Sequence, residues 1–262
     1  MMVGYLTMAH GLVVLPDGRR LHILKNEDAV ATFIEQRVTE LANAAIAQKG
    51  AFSISIGSGT TVAPLCSLRD KVDFSKVHIF FGNERTEGEA AGKCWDGAAE
   101  LRRACCIPEE NMYRVPHGLA EDAAVQYEEM LRNIPHNIVA VSSRSGLPAL
   151  DLVLLGSGAD GHCASLYPNS AQVEHSPGCN RAYLAAEGKG GITLSIDAIS
   201  SARNVLLSAA KPSQGDMVRK CVGWSNAATN RKWPAGMITA HEGSTQVEWL
   251  LTEDSAVELP AL

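Results

Sequence analysis

The chain has 262 residues, of which 46% are hydrophobic and 20% are charged, and its formal net charge is −6. A chain of this length and composition can bury a core large enough to fold without disulfides or a structural metal. Its negative charge argues against a general nucleic-acid-binding protein, and no apolar run reaches the roughly 18 residues of a membrane span. We therefore expect neither a nucleic acid nor a membrane as a partner.

The seven cysteines are scattered along the chain and include no Cys-x-x-Cys pair. This pattern favours a reducing compartment over a disulfide-stabilised secreted protein. Residues 1–18 lack the basic stretch of a secretory signal, and we interpret them as an opening strand and turn. The sequence thus predicts a cytoplasmic protein. Because no cysteine or histidine cluster has the spacing of zinc ligands, we expect neither a metal nor a cofactor.

Helical and strand-like patterns alternate along the chain. Asn26 can cap a helix whose apolar residues are spaced by three and four up to Ile46. Strands are expected over 52–56, 77–81, 138–141, 151–155, 192–196, 204–208 and 247–251, and further helices over 88–104, 119–131 and 216–222. The repeated strand-then-helix order predicts an α/β, Rossmann-like fold with a mostly parallel sheet and helices on both faces. No linker divides the chain, so we expect one domain over 1–262.

The clearest motif follows the most apolar predicted strand, 151–155. It is the glycine turn Gly156-Ser-Gly-Ala-Asp-Gly-His162. Ligands of such sheets bind at the carboxyl ends of strands, where glycines let the backbone approach them closely. A histidine there can take a proton from water, and Asp160 could orient it or position a sugar hydroxyl. From these residues alone, a tight turn with an incidental histidine is an equal alternative.

A second glycine loop follows the strand over 52–56. Gly57, Ser58 and Gly59 lie between this strand and a predicted short helix, where backbone N–H groups can cradle a phosphate. The Gly-Lys-Ser/Thr ending of a P-loop is absent. On its own, the segment is more typical of a generic turn between a strand and a helix.

A third loop follows the strand over 77–81 and reads Gly82-Asn-Glu-Arg85. Arg85 could contact an anionic or hydroxyl-rich ligand with its planar fork of donors. The alternative is a surface pair of Glu84 and Arg85, which would contribute less than about 1 kcal/mol.

The segment 151–168 resembles the signature of the 6-phosphogluconolactonase family: a hydrophobic strand, Gly-x-Gly-x-Asp-Gly-His, and then a small residue, Ser, Leu or Ile, an aromatic residue and Pro. The related glucosamine-6-phosphate isomerases have Asn-Gly-His where this chain has Asp160-Gly161-His162. The resemblance implies hydrolysis of 6-phospho-D-glucono-1,5-lactone to 6-phosphogluconate in the oxidative pentose phosphate pathway. It implies that His162 activates water and that no cofactor takes part.

The same resemblance implies a phosphorylated sugar lactone as the ligand. Donors near Gly57, Ser58 and Gly158 would stabilise the developing oxyanion, and Glu84 and Arg85 would contact the sugar.

The chain departs from this family's pattern in several places. The segment 86–93 replaces a different stretch of the family. The family has an Arg before the strand at 192 and a Lys after the next strand, both expected to hold the phosphate. Lys189 and Lys211 lie two and three residues from these positions and could substitute for them. The departures leave open a non-catalytic sugar-phosphate-binding paralogue or, less favoured, an isomerase or deaminase; they fall at Ile56, Asn83, Gly191 and Gln214.

Overall fold

A seven-stranded sheet forms the centre of the protein. The computed structural model describes residues 11–186, 188–222, 232–240 and 245–259. The strands in chain order are β1 (Gly11–Val14), β2 (Arg20–Leu24), β3 (Phe52–Ile56), β4 (Val77–Phe81), β5 (Asn83–Arg85), β6 (Ala140–Val141), β7 (Pro148–Ala149), β8 (Leu152–Gly156), β9 (Tyr183–Ala186), β10 (Gly191–Leu194), β11 (Asn204–Ala209) and β12 (Gln246–Thr252). The helices are α1 (Glu27–Lys49), α2 (Lys93–Gly97), α3 (Ala99–Cys105), α4 (Ala120–Arg132), α5 (Ala171–Glu174), α6 (Ile196–Ser201), α7 (Gly215–Val222) and α8 (Glu253–Ala256).

The strand order of the central sheet is β1-β2-β12-β11-β8-β3-β4. Only the edge pair β1–β2 is antiparallel; every other pair is parallel. The predicted α/β, Rossmann-like class with a mostly parallel sheet is therefore confirmed. From β3 the chain proceeds outward to β4, whereas from β8 it proceeds the other way to β11 and β12. The carboxyl ends of β3 and β8 thus form the switch point at which such sheets bind ligands.

The first helix forms where its sequence predicts it. The side chain of Asn26 accepts a hydrogen bond from the backbone N–H of Ala29 at 3.0 Å, which satisfies a donor at the helix start. Val30, Ile34 and Val38 are buried, and each contributes about 1.5–3 kcal/mol through removal of its side chain from water. None of the described helices combines the length and hydropathy needed to cross a bilayer.

A second, antiparallel sheet with the order β5-β10-β9 was not predicted. It begins directly after β4, because Gly82 turns the chain out of the central sheet. The Gly82 N–H donates to the carbonyl of Ile56 at 2.8 Å, and its carbonyl accepts from the N–H of Leu194 at 2.7 Å. This turn places Asn83 and Arg85 beside the carboxyl end of β3.

Three predicted elements differ from the structure. The strand expected over 138–141 is reduced to the two residues of β6, which pair with β7 outside the central sheet. The helix expected over 88–104 is wrong as a single element, since the chain turns before Lys93 and forms the short helices α2 and α3. The strand expected over 192–196 ends at Leu194, because the Ser195 side chain accepts from the Ala198 N–H at 3.0 Å and begins α6. Assignment of residues 1–262 to one domain stays a prediction.

Candidate active site

A cleft of about 620 Å³ lies at the switch point of the central sheet. Its walls come from the loops that follow β3, β8 and β11, together with β5 and the start of α2. A cleft of this volume is in the range of small-molecule sites. The three glycine-bearing loops of the sequence therefore meet at one place.

His162 and Asp160 form a hydrogen-bonded pair at this cleft. The distance from His162 Nδ1 to Asp160 Oδ1 is 2.6 Å, and the same oxygen accepts the backbone N–H of His162 at 3.2 Å. Because an ionised carboxylate only accepts hydrogen bonds, Nδ1 carries a proton, and in the neutral imidazole Nε2 is then the nitrogen with the lone pair. Burial acts to raise the pKa of Asp160, but the hydrogen bonds from His162 outweigh it and lower that pKa. Asp160 is therefore ionised at neutral pH.

Two glycines make room for this pair. A Cβ on Gly158 would lie 2.3 Å from two ring atoms of His162 and 2.5 Å from Asp160 Oδ1. Gly161 has a φ of +90°, and a Cβ there would lie 2.7 Å from the ring of Trp233. The Gly158 N–H donates to the carbonyl of His162 at 2.8 Å. Donors near Gly158 were expected to stabilise an oxyanion; Gly158 lines the cleft, but its own N–H closes the turn.

The loop after β3 presents backbone donors to the cleft. Gly57, Ser58 and Gly59 all line it. Within the described residues, the N–H groups of these three donate no hydrogen bond to the protein. They are the arrangement expected of a loop that binds an anionic oxygen.

Because side chains alternate between the two faces of β5, Glu84 lies on the opposite face from Asn83 and Arg85. Asn83 and Arg85 line the cleft, whereas Glu84 faces the other way and is 3% exposed. The Glu84 carboxylate accepts the N–H groups of Cys94 and Trp95 at 2.8 and 2.7 Å, so it anchors α2. Glu84 was predicted to contact the substrate, but it is not part of the cleft lining. Its carboxylate instead accepts the backbone N–H of Arg85 and so helps to position that residue.

Gln214 joins two loops of the site. Its side-chain oxygen accepts the Lys211 N–H at 2.7 Å, and its nitrogen donates to the Ser157 carbonyl at 2.6 Å. The structure thereby brings Lys211 into the cleft lining beside the loop that carries His162. At the position where the family has a lysine, this chain has a structural amide.

Gly191 has no space for a side chain. A Cβ there would lie 2.2 Å from the carbonyl oxygen of Glu84, because β5 and β10 pair closely at this point. Lys189 is outside the cleft lining. Its Nζ lies 5.0 Å from the ring centroid of Tyr167, and the Arg85 guanidinium donates to its carbonyl oxygen. Of the two predicted substitute lysines, only Lys211 faces the cleft directly.

Lys93 and Tyr167 are among the residues of the cleft lining that sequence reasoning missed. Lys93 was placed inside a continuous helix, where its direction could not be inferred. The available signal was Gly92, which adopts a φ of +83° and separates the turn from α2. The Tyr167 ring centroid is 5.0 Å from that of His162, so it borders the predicted base.

Metal-binding side chains do not gather in the part of the chain that the structure describes: no three of His, Cys, Asp and Glu lie together there. Cys163 follows His162 in sequence but is fully buried, and this burial raises the pKa of its thiol. The thiol is therefore protonated and turned away from the cleft chemistry.

Comparison with known proteins shows what this fold and site are similar to. The family model described as glucosamine-6-phosphate isomerases/6-phosphogluconolactonase matches residues 25–249, which include every loop of the cleft. The chain belongs to this family. Among its relatives in the isomerase/lactonase family is "Probable 6-phosphogluconolactonase 2" of Arabidopsis thaliana, 29% identical over 266 residues, which cover 94% of this chain and 96% of the relative.

Solved structures share the fold of this isomerase/lactonase family member. A 6-phosphogluconolactonase from Trypanosoma brucei superposes with a TM-score of 0.70 at 21% identity, covering 91% of this chain and 98% of the other. A monomeric glucosamine-6-phosphate deaminase gives a TM-score of 0.66 at 13% identity, covering 91% and 99%. Since both superpose on most of the chain, the fold alone does not separate the two chemistries.

Proposed function

We propose that this protein hydrolyses 6-phospho-D-glucono-1,5-lactone to 6-phosphogluconate, the lactone-opening step of the oxidative pentose phosphate pathway. The observation that carries the proposal is the hydrogen-bonded pair of His162 and Asp160 at the switch-point cleft, at 2.6 Å. A lactone is an activated ester, so a positioned base is sufficient to direct water at its carbonyl. No step of this reaction needs a metal or cofactor.

His162 acts as the general base. Its Nε2 takes a proton from water as the water oxygen bonds to the lactone carbonyl carbon, and ionised Asp160 stabilises the imidazolium that forms. When the tetrahedral intermediate collapses, the bond from this carbon to the ring oxygen breaks. The proton held on His162 passes to that oxygen, which becomes a hydroxyl, and the carboxylic acid formed loses its proton to solvent to give 6-phosphogluconate. The base is thereby returned to its starting state.

The phosphate end of the substrate binds to the loop after β3 and to the cations of the cleft. The unused N–H groups of Gly57, Ser58 and Gly59 support this assignment. Arg85 and Lys211 lie in the lining and supply positive charge there, whereas Lys189 is outside the lining, with its Nζ 5.0 Å from the Tyr167 ring centroid. A phosphate dianion is held best by several charged hydrogen bonds of this kind.

The reaction is tested by a lactonase assay with freshly generated lactone, corrected for spontaneous hydrolysis. We expect turnover by the wild type and a loss of roughly 10²–10⁴-fold in His162→Ala, the usual contribution of a positioned base. Near-normal turnover in a folded His162→Ala would remove His162 from the mechanism. Release of ammonia from glucosamine 6-phosphate would instead indicate the deaminase reaction, against which Asp160 in place of Asn argues. Tight binding of 6-phosphogluconate without turnover would identify a binding protein.

Two variants of the protein distinguish the contributions of Lys211 and Lys189 to substrate binding. Because Lys211 lines the cleft and Lys189 does not, Lys211→Ala should weaken 6-phosphogluconate binding about tenfold, and Lys189→Ala less. Isothermal titration of both variants measures the difference, and equal losses would contradict the placement.

We also propose that the enzyme works in the cytoplasm. All seven cysteines are unpaired, as expected in a reducing compartment. Cell fractionation followed by immunodetection tests the location, and recovery in an organelle fraction would contradict it.

A further inference from the structure

Lys93 is a cation of the cleft that no sequence motif assigns. It is the first residue of α2 and lies in the cleft lining. Throughout the described residues, its ammonium group makes no ion pair. Among the described residues that line the cleft, the charged side chains are Arg85, Lys93 and Lys211 against the carboxylate of Glu27. The Asp160 carboxylate at the cleft is already paired with His162, so the cleft attracts anions.

The segment that carries Lys93 is held in place by backbone hydrogen bonds. The Gly92 N–H donates to the carbonyl of Arg85 at 2.9 Å. The N–H groups of Thr86 and Glu87 donate to the carbonyl of Gly190 at 2.9 and 3.2 Å. The segment 86–93 is therefore fastened to the ends of β5 and β10, and Lys93 is presented from a fixed backbone.

The segment is held beside Gly191, the position at which this chain has no cation. Gly191 cannot carry a side chain, since a Cβ there meets the Glu84 carbonyl at 2.2 Å. The segment 86–93 begins beside that point, since a Cβ on Gly190 would lie 3.3 Å from the Cβ of Glu87, and it ends at Lys93 in the cleft lining.

Lys93 also borders the loop that offers free N–H groups. The next residue, Cys94, lines the same cleft as Ser58. Gly97, one turn later, packs so that a Cβ on it would lie 3.6 Å from the Ser58 Cβ. The backbone N–H groups of Cys94 and Trp95 are already bound by Glu84, which leaves the Lys93 side chain as the anion-binding group of α2.

We propose that Lys93 binds the phosphate group of the substrate, together with the N–H groups of Gly57–Gly59, in place of the cation that position 191 cannot carry. The proposal rests on the proposed function for the identity of the sugar phosphate. Lysine suits this role because its flexible stem and point charge reach a phosphate without the fixed approach that an arginine fork requires.

The test compares Lys93→Ala and Lys93→Arg with the wild type by isothermal titration of 6-phosphogluconate, gluconate and inorganic phosphate. A charged hydrogen bond to phosphate predicts an increase of about tenfold or more in the Kd for 6-phosphogluconate in Lys93→Ala, with partial recovery in Lys93→Arg. Gluconate binding should not change. In the lactonase assay, KM should rise while kcat stays near the wild-type value. Lys76→Ala is the control, since Lys76 is an exposed lysine outside the cleft lining.

The outcomes separate the two proposals. If the wild type hydrolyses the lactone and Lys93→Ala binds 6-phosphogluconate as tightly as the wild type, the role of Lys93 is wrong and the proposed function stands. If the wild type shows neither turnover nor 6-phosphogluconate binding, the proposed function is wrong. Inorganic phosphate then decides the role of Lys93, which is overturned unless phosphate binds the wild type and Lys93→Ala weakens that binding.

Discussion

Gly158→Ala tests whether the geometry of the His162–Asp160 pair carries the reaction. The added Cβ would lie 2.3 Å from His162 Nδ1 and Cε1 and 2.5 Å from Asp160 Oδ1, far inside contact distance. The imidazole must therefore move by about 1 Å or more, a displacement that typically costs about 10²-fold in rate. The His162 side chain is 34% exposed, so it can turn toward solvent, and the fold should lose less than about 1 kcal/mol.

The assay measures kcat and 6-phosphogluconate affinity together with the thermal unfolding midpoint. We expect kcat to fall about 10²-fold while affinity and unfolding stay close to the wild type. Gly215→Ala is the matched control, because a Cβ there meets only ordinary contacts at 3.7 Å and the site is in α7. A folded Gly158→Ala with wild-type kcat would show that the pair in this conformation is not the reacting arrangement.

Three further outcomes follow from particular contacts. Asp160→Asn should lower kcat about 10²-fold with little change in KM, since the amide does not stabilise the imidazolium of His162; steady-state kinetics with unchanged kcat would contradict this. Gln214→Ala should lower the free energy of unfolding by about 1–3 kcal/mol, measured by urea denaturation, because it removes two hydrogen bonds made by a buried side chain. Glu128 is buried, which acts to raise its pKa, but hydrogen bonds from Arg181 and backbone N–H groups lower it overall. Its stabilisation is therefore present above the unfolded-state pKa and lost as the pH falls through the lower folded-state pKa. In Glu128→Gln, the free energy of unfolding should fall less steeply as the pH decreases below about 4.5. The same pH dependence as in the wild type would refute the assignment.

Much of the fold could be predicted because its central strands are runs of branched apolar residues. The segments at 52–56, 77–81 and 204–208 match β3, β4 and β11 closely, since the first alternates apolar residues with serine and the other two are mainly apolar. The strands β5 and β9 were missed because three or four residues are too few to show alternation.

The site was predictable where one motif contained its own partners. Asp160 and His162 lie two residues apart, so a local turn was enough to predict that they meet. Glu84 could not be oriented from sequence, because its direction depends on the pairing of β5 with β10. Lys93 was missed for a related reason: the contacts that turn its segment into the cleft come from Gly190, about a hundred residues away in the chain.

The close approach of the backbone at Gly191 limits how this protein could change by mutation. An arginine introduced there would meet the Glu84 carbonyl at its first side-chain atom, so the pairing that presents Arg85 would have to open before the new guanidinium could reach the cleft. Gaining one cation would thus displace others. Intermediate sequences along such a path would bind the phosphate less well than the sequence at either end. Arg85, Gly191 and the segment 86–93 should therefore be retained or replaced together.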